Sequence, residues 1–211
     1  MNRICYIIGA GTVDVGSYRA TEDDLIICAD GGYRYSNILG RECDLVVGDF
    51  DSFGSIPDVK NKFVAPREKD ETDMALAVEK GFERGYDTFV IFGALGGDRY
   101  DHSIANIQLL HKIAHLNGSG FLVEGDRIFT AVKNNSLIFN KNCRGYLSVF
   151  SLTDKSRLVT LKNLKYELSN HTLYSRMPVA VSNEFIGESA VVSVGDGVLL
   201  IYWHGSVKDV L

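Results

Sequence analysis

The chain is 211 residues long and 45% apolar, and it carries 27 acidic against 22 basic side chains for a net charge of −5. That much apolar material can bury one large core or two modest ones, so a globular protein is expected. The negative balance supplies no positive field for a nucleic-acid backbone, and no run approaches the roughly 20 apolar residues of a membrane span, so neither partner is expected.

Met1, Asn2 and Arg3 lead straight into a strand-like run with no signal-type apolar region. The four cysteines, Cys5, Cys28, Cys43 and Cys143, form no CxxC pair, and Cys5 and Cys28 sit in apolar runs. Reduced thiols and a cytoplasmic setting are therefore expected. In chain order, Ile4 to Ile8, Leu25 to Cys28, Leu45 to Val47, Phe89 to Phe92 and Phe121 to Val123 read as buried strands. Their unbroken apolar character predicts a parallel sheet covered on both faces. Between them Met74, Ala75, Val78 and Phe82, and later Ile104, Ile107, Leu110 and Ala114, recur at helical spacing, each set predicted to face the sheet. Residues 1–125 thus read as an α/β domain, Rossmann-like with a mostly parallel sheet and open strand ends for a ligand. After Asp126 short β-rich pieces follow without helical period: Ile128 to Val132, Leu137 to Phe139, Tyr146 to Phe150, Leu158 to Leu161, Ala190 to Val194 and Val198 to Trp203. Residues 126–211 are predicted to form an antiparallel β-sandwich. The boundary rests on the change of period alone.

Gly48-Asp49-Phe50-Asp51-Ser52 follows the third strand. Extended backbone aims Asp49 and Asp51 the same way, and Mg²⁺ would relieve their repulsion; an ordinary acidic turn is the competing reading. Glu68 to Asp73 precedes the first helix. Asp70 or Thr72 can cap it, while Asp73 supplies a third carboxylate at a helix start, where a metal or phosphate can sit. Arg67 and Lys69 are either phosphate contacts or solvated surface charges. In Gly93-Ala94-Leu95-Gly96-Gly97-Asp98-Arg99-Tyr100-Asp101-His102 the glycines allow backbone N–H groups close to a phosphate, and Arg99 offers a fork to its oxygens. Asp101 either caps the next helix or joins the polar site; His102 is a helix-start residue, a phosphate contact or a proton carrier. Gly9-Ala10-Gly11-Thr12 has Asp14 where a dinucleotide fingerprint has its third glycine, and no G-x-x-x-x-G-K-[ST] occurs, which disfavours nicotinamide and P-loop enzymes. Asp30, before Gly31 and Gly32, is either a turn residue or a neighbour of the ligand.

Taken in order, Ala29-Asp30-Gly31-Gly32, Gly48-Asp49-Phe50-Asp51-Ser52, Asp70-Glu71-Thr72-Asp73, Arg99-Tyr100-Asp101-His102 and Val181-Ser182-Asn183-Glu184-Phe185 resemble the successive signatures of the thiamine pyrophosphokinase family. The chain departs from that pattern at Asp98, which intervenes between the glycine pair and Arg99. The resemblance implies Mg²⁺-dependent transfer of diphosphate from ATP to thiamine, giving thiamine diphosphate and AMP. It implies Asp49, Asp51 and Asp73 as the metal and polyphosphate centre, with Arg99 and Asp101 completing the catalytic cleft. Asp30, Gly31, Gly32, Lys69, Asp70, Thr72 and His102 would border the nucleotide. It further implies a homodimer with the active site at the subunit interface, where Ser182 and Asn183 help to hold thiamine. Residues 1–125 would then be the nucleotide- and metal-binding catalytic domain, and 126–211 the thiamine-binding and dimerisation domain. Trp203, Phe185 or Tyr202 either stacks on the cationic thiamine rings or belongs to the core. Two rival functions are weighed against this one: a metal-dependent nucleotide phosphohydrolase, in which the clustered aspartates hold metal and water, and a nucleotide or thiamine sensor without catalysis, against which three converging carboxylates count.

Overall fold

The computed structural model describes residues 3–49, 61–64 and 70–210. The chain divides into two compact units, one holding the residues up to Leu109 with Leu122–Gly125, the other Leu110–Phe121 with the residues from Asp126 onward. Among the described residues no helix is long and apolar enough to cross a membrane.

In the first unit β1 (Cys5–Ile8), β2 (Leu25–Ala29), β3 (Leu45–Gly48) and β5 (Thr88–Phe92) are buried along their whole length. Apolar side chains on both faces of each strand require cover on both sides, as the continuous runs predict. A short strand β4 (Lys62–Val64) lies exposed at the edge; three residues are too few to carry a readable period. β1 pairs in parallel with β2 and β5, β2 with β3, and β3 with β4. The chain runs outward from β1 to β4 and then returns to set β5 on the other side of β1, so the strand order reverses there and a crevice opens beyond the carboxyl ends of β1 and β5, the usual ligand position in open α/β sheets.

Helix α1 (Asp73–Glu83) buries Met74, Ala77, Val78 and Gly81 and packs on β1, β2 and β3. Helix α2 (Tyr100–His115) corrects the expected register. It begins at Tyr100, and it turns Asn106, Leu109, Leu110, Ile113 and Ala114 inward while Ile104, expected to face the sheet, is 60% exposed. The inward place assigned to Ile104 by apolar spacing is occupied instead by an amide that finds a backbone acceptor. The helix stops where Asn117 takes left-handed backbone at φ 60 and the Gly118 N–H reaches back to the Ile113 carbonyl at 3.0 Å, a Schellman closure.

β6 (Ser119–Glu124) leads on to β7 (Arg127–Lys133), β8 (Ser136–Phe139), β9 (Tyr146–Ser151), β10 (Lys155–Lys162), β11 (Leu168–Tyr174), β12 (Ala180–Glu184), β13 (Ala190–Ser193) and β14 (Val198–His204). Within the second unit every pairing is antiparallel: β14 with β7 and β9, β9 with β12, β10 with β11 and β13, and β13 with β8. Trp203 on β14 is fully buried and meets Phe139 of β8 edge-on at 5.3 Å, so one group of strands faces the other across an aromatic core. The sequence missed β11 and β12. Both are edge strands with mostly exposed or half-exposed side chains, so no apolar alternation marks them.

The Cys28 thiol hydrogen-bonds to Cys43, which lowers the Cys43 pKa, while burial raises Cys5 and moves Cys143 up to about 11. Thiolate is the reactive form, so iodoacetamide applied to native protein is expected to label half-buried Cys43 first. Mass spectrometry showing Cys5 or Cys143 labelled earlier would contradict this order.

Candidate active site

The crevice at the carboxyl ends of β1 and β5 has a volume of about 480 Å³. Its walls are Gly9–Gly11, Ala29–Asp30, Thr72–Met74 and Gly93–Arg99, closed by His102, Ser103, Ala105 and Asn106. A second hollow, about 430 Å³, opens beside Leu25 and Leu45 at the opposite, amino ends of β2 and β3, and none of the candidate site residues lines it.

Close backbone approach builds the floor of the crevice. The Gly9 N–H donates to the Phe92 carbonyl at 2.8 Å and the Gly11 N–H to the Gly93 carbonyl at 3.0 Å, tying the loop after β1 to the loop after β5. A Cβ on Gly9 would stand 2.6 Å from the Gly93 oxygen, so only glycine permits that approach. Gly31 and Gly32 are buried in a 3-10 turn beneath the same floor. A Cβ on Gly32 would overlap the Ile8 carbonyl oxygen, and one on Gly31 would stand 2.9 Å from the Ala10 Cβ. At these two glycines, expected to border a nucleotide, there is no room for a side chain against β1 and the loop that follows it. Asp30, at the start of that turn, does reach the crevice, with φ at 42, a left-handed value that a non-glycine residue rarely adopts.

Thr72 settles the capping alternative: its Oγ1 accepts the Ala75 N–H at 3.2 Å, and Asp73 is the first residue of α1 on the crevice wall. Replacing Thr72 with alanine is expected to cost about 1 kcal/mol of stability, measured by urea unfolding; no change would mean the cap is idle. Asp70 is exposed and outside the walls. Asp49 directly follows β3, and its neighbour Gly48 packs against Asp30, a Cβ there falling 3.1 Å from the Asp30 Cα. Asp51 and Lys69 lie outside the described residues. Among the described residues no group of three or more metal-ligating side chains gathers. Asp49 and Asp73, the two expected metal donors among the described residues, both carry carboxylates, a hard-oxygen type that fits Mg²⁺ rather than a softer metal.

Arg99 is on the wall, and its guanidinium forks onto Asp101, Nε to Oδ1 at 3.0 Å and Nη2 to Oδ2 at 2.8 Å. Nη2 also lies 2.6 Å from His102 Nε2. Arginine can only donate, so the imidazole accepts there. The Arg99 hydrogen bond holds the Asp101 carboxyl at about 2, below the ordinary carboxylate range, so Asp101 is ionised at neutral pH. Behind this pair α2 holds the glycine loop at two points: Ser103 Oγ accepts the Gly96 N–H at 3.1 Å, and Asn106 Nδ2 donates to the Ala94 carbonyl at 2.7 Å. Sequence reasoning passed over both residues. The available signal was a polar Asn106 amid the apolar positions of a helix.

Residues 18–119 match the family model described as thiamin pyrophosphokinase, catalytic domain, and residues 135–199 the one described as thiamin pyrophosphokinase, vitamin B1 binding domain. The thiamine pyrophosphokinase of Bacillus subtilis (strain 168) is 30% identical over 161 residues, covering 73% of this chain and 75% of that protein. The chain belongs to the thiamine pyrophosphokinase family. Its fold agrees: the crystal structure of thiamine pyrophosphokinase from Bacillus subtilis superposes with a TM-score of 0.82 at 25% identity, over 97% of this chain and all 100% of that one. The thiamin pyrophosphokinase of Geobacillus thermodenitrificans gives 0.80 at 25% identity, over 98% and 100%.

Two further residues singled out by the thiamine pyrophosphokinase resemblance, Ser182 and Asn183, lie on β12. Asn183 is buried; its Oδ1 accepts the Tyr166 N–H at 2.9 Å and its Nδ2 donates to the Tyr166 carbonyl at 2.7 Å. Ser182 is exposed at a register shift between Ala180 and Asn183, with φ at 58 and its N–H donated to Ser148 Oγ at 3.0 Å. A bulge of this kind re-aims a side chain away from the ladder. Of the aromatics considered for stacking, Trp203 and Phe185 are core residues, and the Tyr202 hydroxyl is 2.7 Å from His204 Nε2.

Proposed function

We propose that this protein transfers the terminal diphosphate of ATP to the primary hydroxyl of thiamine, giving thiamine diphosphate and AMP. The observation that carries the reading is the crevice between the loops after β1 and β5, where Asp30, Asp73 and Arg99 meet inside the segment that matches the family's catalytic domain. We read residues 1–125 as a Rossmann-like nucleotide-binding domain and residues 126–211 as a β-sandwich that binds thiamine and joins two subunits. The match of residues 135–199 to a vitamin B1 binding domain supports the second role.

In the reaction the hydroxyl oxygen gives up its proton, ultimately to solvent, and bonds to the β-phosphorus, the bond from that phosphorus to the bridging oxygen of the α-phosphate breaks, and AMP leaves with the bridging oxygen. The protein supplies alignment and charge neutralisation more than covalent chemistry. Asp49, Asp51 and Asp73 would hold Mg²⁺, which neutralises polyphosphate charge when bound. Arg99 would exchange part of its fork on Asp101 for phosphate oxygens, with Asp101 and His102 keeping the guanidinium at the mouth of the crevice. The loop glycines bring backbone N–H groups to the same charge. Ser182, exposed at its bulge, is the thiamine contact, and Asn183 acts behind it by locking β12 to the 165–167 segment. The exposed Val179 and Val181 at the β12 edge, with Tyr146 and Ile186, supply an apolar surface suited to a second copy, which would place the active site at the subunit interface.

The test is AMP formation from ATP and Mg²⁺ with and without thiamine. Equal yields of AMP and thiamine diphosphate, dependent on thiamine, are expected. AMP or phosphate released without thiamine would identify a phosphohydrolase, and ligand binding without turnover a sensor.

A further inference from the structure

Asn106 is 6% exposed on the inward face of α2, among Leu109, Leu110 and Ile113. An amide in that setting is costly unless its hydrogen bonds are made, and its Nδ2 donates to the buried Ala94 carbonyl at 2.7 Å. One turn earlier Ser103 Oγ accepts the Gly96 N–H at 3.1 Å, and on the other side Gly11 donates to the Gly93 carbonyl at 3.0 Å. The loop after β5 is thus held at successive residues, and both of its anchored carbonyls point their negative ends into protein. Gly96 and Gly97 follow at φ 71 each, a left-handed backbone that glycine adopts readily. A Cβ at Gly97 would meet nothing within 4 Å, so packing does not fix that part of the loop.

We infer that Asn106 is a positioning residue for the ATP polyphosphate: by taking the Ala94 carbonyl it keeps that oxygen out of the crevice and sets the 96–99 backbone where phosphate oxygens are received. The inference rests on the proposed placement of ATP in this crevice. With the donor gone, the Ala94 carbonyl is left buried and unpaired, and the loop moves to solvate it. Binding of ATP then suffers, while thiamine, held elsewhere, is spared.

Kinetics of wild type, Asn106→Leu and Asn106→Asp at about pH 8 and about pH 6 test this, because a buried introduced carboxyl has a raised pKa and regains a donor proton at the lower pH. At the higher pH both variants are expected to raise KM for ATP about tenfold, with KM for thiamine changed less than about twofold. At the lower pH the Asn106→Asp ratio to wild type should fall to within about threefold, and the Asn106→Leu ratio should stay high. A purely structural amide would shift both KM values alike, or neither, and would show no recovery for Asn106→Asp alone; either result overturns the inference. Hydrogen exchange on the wild type separates the two layers. If ATP fails to protect amides 96–99 the site reading itself has failed, whereas protection with unchanged Asn106→Asp kinetics sinks only the role of Asn106.

Discussion

Replacing Gly32 with alanine lowers the melting temperature of the ligand-free protein by roughly 6–12 °C, the shift expected for a loss of about 3 kcal/mol in a domain protein of this size. The added Cβ would overlap the carbonyl oxygen of Ile8, the last residue of β1, and would come 3.0 Å from the Gly9 oxygen. Both obstacles are backbone, so no rotamer change relieves them, and the 3-10 turn after β2 must lift away from the loop after β1. Gly97 is the control, because its Cβ would meet nothing and only its positive φ of 71 penalises a side chain. There the cost is about 1–2 kcal/mol. Calorimetry without nucleotide decides the matter. An unchanged melting temperature with a loss of ATP affinity would mean that Gly32 exists for the ligand's approach, as the sequence suggested, and not for packing.

Asp73→Asn is expected to lower kcat/KM by roughly a thousandfold, about 4 kcal/mol of transition-state stabilisation, with little change in stability. The amide keeps the shape of the side chain and leaves the Thr72 cap in place, but it removes the negative oxygen that faces the crevice from the first turn of α1. Loss of a favourable charge at a helix N-terminus costs only about 0.3–1 kcal/mol, so a folding defect cannot imitate the kinetic one. Asp70→Asn serves as comparison, since Asp70 is exposed and outside the crevice walls. It should alter kcat/KM less than about threefold. Activity of Asp73→Asn within tenfold of wild type would remove Asp73 from the proposed metal centre.

Some of this protein was decided by local chemistry and is readable residue by residue. The buried strands β1, β2, β3 and β5 are continuous apolar runs because both of their faces are covered, and such runs need no tertiary information to be seen. Thr72 as a cap, Asp73 at a helix start and the glycine loop before α2 are likewise short-range patterns, fixed by the unsatisfied N–H groups that every helix begins with. The ordered succession of acidic and glycine motifs was enough to suggest the family. Only the tertiary structure could decide the rest. Edge strands β11 and β12 owe their existence to a neighbouring strand's hydrogen bonds and not to their own apolar pattern, so they left no trace in the sequence. Whether Gly32 faces a ligand or a carbonyl depends on where β1 ends in space. The inward turn of Asn106 in place of Ile104 depends on a carbonyl twelve residues away, because a buried amide is tolerated only where the fold brings it a partner.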